Sequence, residues 1–266
     1  MNTPISTLRE GELRHTRDAQ GVHRLTLSSP ATFNVLGESM LAALQQAIDT
    51  VAADAQARAL VLGAEGKAFC AGHNLKEMRA RPELAYYQQL FAQCSRMMLA
   101  LRQLPVPVIA RVQGLATAAG CQLVAQCDLA VAASEARFGV NGIDVGLFCA
   151  TPSVPLSRNM QPKQAMEMLV TGGFIDAQEA QRRGLVNRVV PEAQLDEALQ
   201  SLLAAILAKP RVALAMGKQL FYQQAEMGIA AAYQLAGQTM ACNMIDAVAQ
   251  EGVQAFIDKR EPAWRG

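Results

Sequence analysis

The sequence lacks an excess of charge of either sign, and few of its residues are charged at all. Its 266 residues carry 24 Lys and Arg against 23 Asp and Glu, so the net charge is +1, and 18% of the positions are charged. Nucleic acids and anionic membrane surfaces are bound by clusters of Lys and Arg. The balance therefore predicts no nucleic-acid or membrane partner, and it favours a small molecule or another subunit.

Long hydrophobic runs and targeting patterns are also missing. No apolar run approaches the roughly 20 residues that span a bilayer, the longest obvious one being Leu202–Ala208. Residues 1–18 contain neither the apolar segment of a secretory signal nor a basic amphipathic stretch typical of a transit peptide. These absences predict a cytoplasmic protein.

The motifs of several common enzyme classes are absent. The sequence contains no GxGxxG, P-loop, GxSxG or HExxH pattern, so nucleotide binding, serine hydrolysis and zincin chemistry have no support. His15, His23 and His73 are too scattered for a metal-ligand set, and His15 and His23 are predicted to lie on the surface. No metal site is expected. The cysteines form no CxxC pair and predict reduced, mostly buried thiols; they are Cys70, Cys94, Cys121, Cys127, Cys149 and Cys242.

Apolar residues make up 51% of the chain and aromatic residues 5%, which predicts a core of small and straight side chains. Short strand-like runs alternate with stretches of helical spacing, and this alternation predicts an α/β fold. From Pro162 the pattern becomes almost entirely helical, with a last strand at Val186–Val190. The best boundary is Pro191, which divides the chain into residues 1–190 and a helical region of residues 191–266. The strands are predicted at 22–27, 59–62, 108–112 and 129–132, and the first helices at 40–51, 86–101 and 118–125.

The first segment with chemical potential runs from Lys67 to Met78. It leaves a strand and enters a helix, with Asn74 as the N-cap and Glu77 three residues later, as in a capping box. The first N–H groups of a helix have no partner within the helix and can meet an anion or a developing oxyanion. An ordinary capped helix is the alternative interpretation.

The second segment runs from Pro105 to Gln122. A β-type run meets Gly114 and then a series of very small residues that begins a helix. Such small side chains let a ligand approach the backbone, and the helix start again offers N–H donors. Close packing of the helix on the sheet would explain the same residues.

Together, the two segments resemble the paired oxyanion-hole elements of the crotonase superfamily, the enoyl-CoA hydratase/isomerase family. The resemblance extends in order over roughly residues 20–262. The stretches LATAAGCQL and GLFCATP most resemble one branch of the family, the enoyl-CoA hydratase domain-containing protein three branch. The other matching motifs are P-x-x-x-N-x-L at Pro30–Leu36, Phe138-Gly139 with Asp144-Val145-Gly146-Leu147, the T-G…A-x-E-A…G-L-V stretch at Thr171–Val186, and F-x-x-K-R at Phe256–Arg260.

The resemblance implies a crotonase-like spiral of ββα units in residues 1–190, carrying the CoA and oxyanion-hole segments. Residues 191–266 would form a helical oligomerisation region of a homotrimer or a dimer of trimers. The ligand would be an acyl-CoA thioester, with coenzyme A as part of the substrate and no permanently bound cofactor. The N–H groups of His73 and Ala119 would hold the thioester oxygen as it becomes an enolate. The Ala71 backbone would face the adenine, and Phe256 and Lys259 would help to bind the CoA nucleotide of a neighbouring subunit.

The sequence departs from the family where hydratases keep two catalytic glutamates. The matching positions are Gln122 and Gly142, and a third carboxylate position known in the family is Ala150. An amide orients water without acting as its base, and glycine has no side chain. A structural role is predicted for Asp144, which follows Gly142 by two residues.

Two functions therefore remain open. One is an enoyl-CoA hydratase-like lyase or isomerase of fatty acid metabolism that works through a thioester enolate. The other is a catalytically silent acyl-CoA-binding trimer. A third alternative is a protein whose pocket has lost CoA binding altogether. The sequence determines neither the acyl group nor the reaction.

Overall fold

The computed structural model describes residues 3–8 and 13–265. Strands and helices alternate along this part of the chain, which confirms the predicted α/β class. The strands are β1 (Thr3–Leu8), β2 (Leu13–Arg17), β3 (Val22–Leu27), β4 (Ala59–Ala64), β5 (Ala68–Cys70), β6 (Val108–Val112), β7 (Leu115–Thr117), β8 (Leu129–Ala133), β9 (Arg137–Gly139), β10 (Ile175–Asp176) and β11 (Arg188–Val190). The helices are α1 (Glu38–Ala53), α2 (Leu75–Ala80), α3 (Leu84–Gln103), α4 (Ala119–Gln126), α5 (Ala150–Asn159), α6 (Pro162–Thr171), α7 (Ala177–Arg182), α8 (Leu195–Leu207), α9 (Arg211–Gln224), α10 (Ile229–Ile245) and α11 (Ala247–Ile257).

The strands form two sheets that the chain visits in turn. The large sheet has the order β1-β2-β3-β4-β6-β8-β11, antiparallel up to β3 and parallel from β3 onward. The small sheet has the order β10-β9-β7-β5, and its three strands β5, β7 and β9 are parallel. Each of the pairs β4–β5, β6–β7 and β8–β9 places one strand in each sheet and is followed by helix. The repeating unit is therefore ββα.

The large sheet is covered on both faces, which explains the continuous apolar runs of β4 and β8 and the apolar residues of β6, where only Arg111 is charged. One face packs in the main core with α1, α3 and α4. The opposite face, including Val61 and Ile109, packs against Leu195, Leu199 and Leu203 of α8. The first helix of the predicted 191–266 region thus shares a core with residues 1–190, and the division at residue 190 stays a prediction.

The sequence patterns located most of the regular elements but missed several. The strand predicted at 108–112 has the same bounds in the structure, and the helix predicted at 86–101 is α3. Helix α5 was not predicted, because it contains Pro155, a residue that disfavours helix interiors. Strand β2 was not predicted either, because its polar residues gave no apolar run.

The prediction that His15 and His23 lie on the surface is wrong. Each side chain is only 1% exposed. Strands β2 and β3 pair so that the two rings meet, with His15 Nε2 2.9 Å from His23 Nδ1. His23 Nε2 lies 2.9 Å from Asp54 Oδ2, just beyond the end of α1. The three residues form a polar chain between the sheet and the helix, in which the two histidines are buried and Asp54 is partly exposed.

The cysteine prediction is confirmed for burial. Cys242 is exposed, and the other five, at positions 70, 94, 121, 127 and 149, are buried. In residues 3–8 and 13–265 no single helix has the length and hydropathy to cross a bilayer. The pair Glu192–Leu207 and Arg211–Gln224 meets both conditions only when taken together, and it is bent by 102°.

Candidate functional site

Three neighbouring strands of the small sheet end at one edge and place three chain segments together. Strands β5, β7 and β9 are parallel, so their carboxyl ends lie side by side. Residues 71–74 follow β5 and lead into α2, Ala118 follows β7 and leads into α4, and a 3-10 helix, Asn141–Val145, follows β9. The starts of α2 and α4 therefore face a common space, as expected at the carboxyl edge of a parallel sheet.

This space is a cavity of about 300 Å³ with mostly apolar walls. Within the described part of the chain, no Asp or Glu side chain is among its lining residues. Among the described lining residues, the only titratable side chains are the imidazole of His73 and the thiol of Cys149. The lining residues are Ala71, His73, Leu75, Met78, Phe91, Thr117, Ala118, Ala119, Asn141, Gly142, Val145, Leu147, Phe148, Cys149, Ala150, Thr151 and Pro152.

The first wall segment of the cavity, residues 71–74, is held in place by Leu36. The Leu36 N–H donates to the Gly72 carbonyl at 2.7 Å, and Leu36 and His73 form an isolated parallel bridge. Since alternate residues of a strand bond to the same neighbour, this register directs the His73 N–H away from Leu36. Gly72 has φ +90°, and a Cβ there would lie 3.2 Å from the Ala119 nitrogen. Only glycine lets the two wall segments approach so closely.

The second wall segment, which starts at Ala118 and leads into α4, begins with a strained backbone. Ala118 has φ 50° and ψ −120°, a conformation that costs a non-glycine residue about 1–3 kcal/mol. Its N–H donates to the Gly139 carbonyl at 2.9 Å, which fixes the entry into α4. A Cβ at Gly120 would lie 2.1 Å from the Cys70 carbonyl oxygen. Close packing of the helix on the sheet and an Ala119 N–H that has no partner within the helix are therefore properties of the same helix start.

The predicted cap of α2 is confirmed, although its acid has a different partner from that in a capping box. The Asn74 side chain accepts hydrogen bonds from the N–H groups of Lys76 and Glu77. The Glu77 carboxylate accepts from the Glu38 N–H at 3.2 Å and from Asn74 Nδ2 at 2.9 Å. Glu77 therefore connects the start of α1 to the start of α2.

The His73 ring is fixed on two sides. Its Nδ1 lies 3.2 Å from the Leu36 carbonyl oxygen, and the ring packs in a T-shaped arrangement against the Phe91 ring, with centroids 5.5 Å apart. Its Nε2 is buried and has no hydrogen-bond partner among the described residues. Burial lowers the pKa of His73 below its ordinary value of 6.5, and the bond to Leu36 opposes this shift only in part. The imidazole is thus neutral at physiological pH.

The structure separates the two residues at the glutamate positions. Gly142 lines the cavity, whereas Gln122 lies one turn into α4, is 4% exposed and is not among the lining residues of the described chain. The Gln122 Oε1 atom is buried and has no hydrogen-bond partner within residues 3–8 and 13–265. Asp144, for which a structural role was predicted, is directed toward Gly172 rather than into the cavity. Its position is shown by Oδ1, which would lie 2.7 Å from a Cβ built on Gly172.

The residues predicted to contact CoA fall into two groups. Ala71 lines the cavity and donates its N–H to the Phe33 carbonyl at 3.0 Å. Phe256, in α11, and Lys259, just after it, are exposed and lie outside the cavity of the same chain. Their binding roles stay predictions, as do those of His73 and Ala119. No three His, Cys, Asp or Glu side chains of the described residues are grouped to hold a metal ion.

Sequence reasoning found the two wall segments but missed the residues that hold them. Asn34 is fully buried; its Oδ1 accepts from the Ser29 N–H, and its Nδ2 donates to the carbonyls of Glu65 and Ala68. It thereby ties the turn after Pro30 to β5. Asn34 and Leu36 are the fixed letters of the P-x-x-x-N-x-L motif, so the motif was the available signal for both.

Comparison with known proteins agrees with this fold. A sequence model described as "Enoyl-CoA hydratase/isomerase" matches residues 17–266. The chain therefore belongs to the enoyl-CoA hydratase/isomerase family of the crotonase superfamily, and its fold is the crotonase-like spiral of ββα units.

Within the family, the chain is similar to the rat "Enoyl-CoA hydratase domain-containing protein 3, mitochondrial", with 43% identity over 98% of this chain and 87% of the relative. The crystal structure of the human domain-containing protein 3 has a TM-score of 0.91 and 42% identity, and the match covers 96% of this chain and 100% of that one. The crystal structure of an enoyl-CoA hydratase from Mycobacterium smegmatis has a TM-score of 0.95 and 58% identity, covering 98% and 100% of the two chains.

The comparisons contradict the predicted cytoplasmic location. The relatives from rat, mouse and human are all named as mitochondrial proteins, and they match 96–98% of this chain. The absence of a recognisable targeting pattern in residues 1–18 was therefore a poor guide to the compartment.

Proposed function

We propose that the protein binds acyl-CoA thioesters in the cavity and stabilises a thioester enolate with the backbone N–H groups of His73 and Ala119. One observation carries the proposal: two helix starts, each preceded by a parallel strand, face one apolar cavity. Hydrogen-bond donors held rigidly in an apolar site stabilise charge where it develops, and removing one such donor typically costs about 2.7–4 kcal/mol. A thioester carbonyl turning into an enolate develops charge of this kind.

The apolar walls suit the acyl chain. Leu75, Val145, Leu147 and Phe148 line the cavity yet remain partly exposed, so they form an apolar mouth. The nucleotide of CoA would lie outside it, against Ala71 and against Phe256 and Lys259 of a neighbouring subunit. Coenzyme A enters with the substrate, and the proposal includes no resident cofactor.

Self-association is part of the proposal. Helices α9 to α11 expose several large apolar side chains in the single chain, and such surfaces mark subunit contacts. We propose a homotrimer or a dimer of trimers, which sedimentation equilibrium would distinguish from a monomer. The exposed residues include Phe221, Ile229, Tyr233, Met240, Ile245 and Phe256.

The carboxylate-free lining favours a second candidate, a silent acyl-CoA-binding protein. Hydration of an enoyl thioester requires a base for water and an acid for the α carbon, and each lost group typically lowers the rate by about 10²–10⁴. Gln122 and Gly142 supply neither. Hydration of crotonyl-CoA is therefore expected to be slow even if enolate stabilisation persists.

Two measurements test these candidates. Calorimetric titration with butyryl-CoA, which carries no double bond to hydrate, reports binding. If the titration gives no binding heat, both candidates are rejected. Loss of the enoyl absorbance of crotonyl-CoA reports hydration. Fast turnover that depends on Gln122 would reject the silent binder, and binding without any chemistry on the thioester would reject the enzyme.

A further inference from the structure

Two polar side chains in the cavity wall are hydrogen-bonded to each other. Thr117 and Asn141 both line the cavity, and the Thr117 hydroxyl donates to Asn141 Oδ1 at 2.5 Å. This distance is typical of an O–H···O hydrogen bond and is too short for an amide N–H donor, so the oxygen of the amide, and not its nitrogen, faces Thr117. The hydroxyl therefore determines the orientation of the Asn141 amide.

The nitrogen of this amide is left with N–H groups to donate. Asn141 Nδ2 forms no hydrogen bond with residues 3–8 or 13–265, and it differs from His73 Nε2 and Gln122 Oε1 in that it is not buried. Asn141 itself is partly exposed, at the start of the 3-10 helix that follows β9. Ligand cavities with mostly apolar walls use a few such polar groups to select and orient the ligand.

The Thr117–Asn141 pair lies close to the proposed thioester site. Thr117 ends β7, is aligned with Gly139 of β9, and precedes Ala119 by two residues. Two residues of chain span at most about 7 Å, so an acyl group whose carbonyl is bound at the Ala119 N–H has its first carbon atoms near this pair. The α carbon takes part in the enolate. The nearest carbon that can carry an oxygen outside the enolate is therefore the β carbon.

The wall also restricts the kind of oxygen that can bind there. Among the described lining residues there is no Lys or Arg, so a carboxylate on the acyl group would lose its hydration without gaining a cation. A ketone or hydroxyl oxygen is uncharged and accepts a hydrogen bond from an amide N–H. The chemistry of the wall thus favours a neutral oxygen substituent.

We propose that the Asn141 amide, oriented by Thr117, donates a hydrogen bond to an oxygen on the β carbon of a bound acyl-CoA. The site then prefers β-oxoacyl and β-hydroxyacyl thioesters to unsubstituted ones. Asn141 is the residue that contacts the ligand, and Thr117 is a positioning residue that acts through it. The inference rests on the proposed function and names the class of acyl group for the same cavity.

Three ligands of equal chain length isolate this hydrogen bond. Butyryl-CoA has no β oxygen, acetoacetyl-CoA has a β ketone that can only accept, and β-hydroxybutyryl-CoA has a hydroxyl that accepts or donates. Their dissociation constants are measured by calorimetry for the wild type, Asn141→Leu and Thr117→Val, which nearly conserve side-chain size. Asn141→Asp is a second variant at that position, in case Asn141→Leu folds poorly. Butyryl-CoA is the control ligand for every protein.

The wild type is expected to bind acetoacetyl-CoA about 3- to 10-fold more tightly than butyryl-CoA, as one neutral hydrogen bond provides. Asn141→Leu and Asn141→Asp should lose this preference, because neither side chain donates. Thr117→Val leaves the amide free to turn and present its oxygen. That variant should lose the preference for the ketone but keep the preference for the hydroxyl, which can donate to an amide oxygen. A merely structural role of Thr117 would not separate the two ligands.

Several results would overturn the inference. Equal affinities of the wild type for acetoacetyl-CoA and butyryl-CoA would exclude a hydrogen bond to a β oxygen, and a preference retained in both Asn141 variants would exclude Asn141 as its donor. An unchanged preference for the ketone in Thr117→Val would show that Thr117 does not orient the amide. Failure of the wild type to bind any of the three ligands is a different result, since it would reject the proposed function itself.

Discussion

The thiol of Cys149 occupies the space that a side chain at position 142 would need. A Cβ built on Gly142 would lie 2.8 Å from Cys149 Sγ and 2.5 Å from the carbonyl oxygen of Leu147. The Leu147 N–H in turn donates to the Gly142 carbonyl at 2.9 Å, which closes the turn after the 3-10 helix. One of the two hydratase glutamate positions is therefore closed by the backbone itself.

Restoring a carboxylate with Gly142→Glu is expected to lower stability without producing hydratase activity. The new side chain must displace either the Leu147 carbonyl or the Cys149 thiol, and overpacking of this kind costs about 1–3 kcal/mol. Thermal unfolding and crotonyl-CoA hydration measure the two effects. Gly63→Ala is the matched control, because a Cβ there meets only ordinary contacts at 3.8 and 3.9 Å. A stable Gly142→Glu variant with rapid hydration would contradict this interpretation.

Gly120→Ala is expected to disturb the site through the position of α4. A Cβ at residue 120 would lie 2.1 Å from the Cys70 carbonyl, so the helix must move away from β5 and carry the Ala119 N–H with it. Stability should fall by about 1–3 kcal/mol, and butyryl-CoA affinity should fall with it. Equal affinities in the variant and the wild type would show that the placement of α4 does not matter for binding.

The His15–His23–Asp54 chain predicts a loss of stability in acid. Burial, assisted by the nearby His23, lowers the pKa of His15 to about 4 from 6.5, so the unfolded chain takes up a proton before the folded one. Stability should therefore rise between pH 4 and pH 6.5, by up to about 3 kcal/mol for this group, and be level above.

The measurement for this prediction is the thermal unfolding midpoint of the wild type and His15→Phe across pH 4–8. His73, whose pKa is also lowered, contributes a pH dependence of the same sign to the stability of both proteins. The difference between the two pH profiles therefore isolates His15. An identical pH dependence in the two proteins would assign the acid sensitivity to other groups.

The largely buried Lys218–Asp128 pair, with side chains 8% and 15% exposed, should be a major attachment of α9. Lys218 Nζ lies 2.7 Å from Asp128 Oδ2 and donates to the carbonyls of Leu101 and Val106, and Asp128 also accepts from the Tyr222 hydroxyl. Lys218→Met leaves the Asp128 carboxylate without its cation, which typically costs about 3–5 kcal/mol.

Denaturant unfolding at a fixed protein concentration measures this cost. Arg182→Met removes the exposed ion pair with Glu179 and should lower stability far less, because solvent screens an exposed pair. If both variants lost the same small amount of unfolding free energy, the Lys218–Asp128 pair would contribute no more to stability than a surface pair.

The fold and the two wall segments were predictable because their signals are local. Strand β4 is a continuous apolar run, and the Asn74 cap and the small residues before Gly120 can be recognised from a few neighbouring positions. The fixed order of the family motifs then placed these segments in one fold. Local sequence patterns failed to predict α5, because Pro155 disfavours a helix interior and this helix is stabilised by its tertiary neighbours.

The remaining features depend on residues distant in sequence. His15 and His23 become buried only when β2 and β3 pair and when Asp54, 31 residues after His23, arrives at the end of α1. The orientation of the His73 ring likewise depends on Leu36, 37 residues earlier, whose carbonyl oxygen lies within hydrogen-bond distance of Nδ1. Nothing in the motif around His73 signals that partner, so only the folded structure reveals the state of its ring.

The hydrogen bonds that the proposed site makes to a thioester can be measured directly by infrared difference spectroscopy. Butyryl-CoA with a ¹³C-labelled thioester carbonyl is bound to the wild type and to Gly120→Ala, and the carbonyl stretch is compared with that of the free ligand in buffer. If the N–H groups of His73 and Ala119 polarise the carbonyl, its stretch shifts to lower frequency in the wild type and less in the variant. A bound carbonyl that absorbs at the same frequency as in buffer would contradict the proposed site.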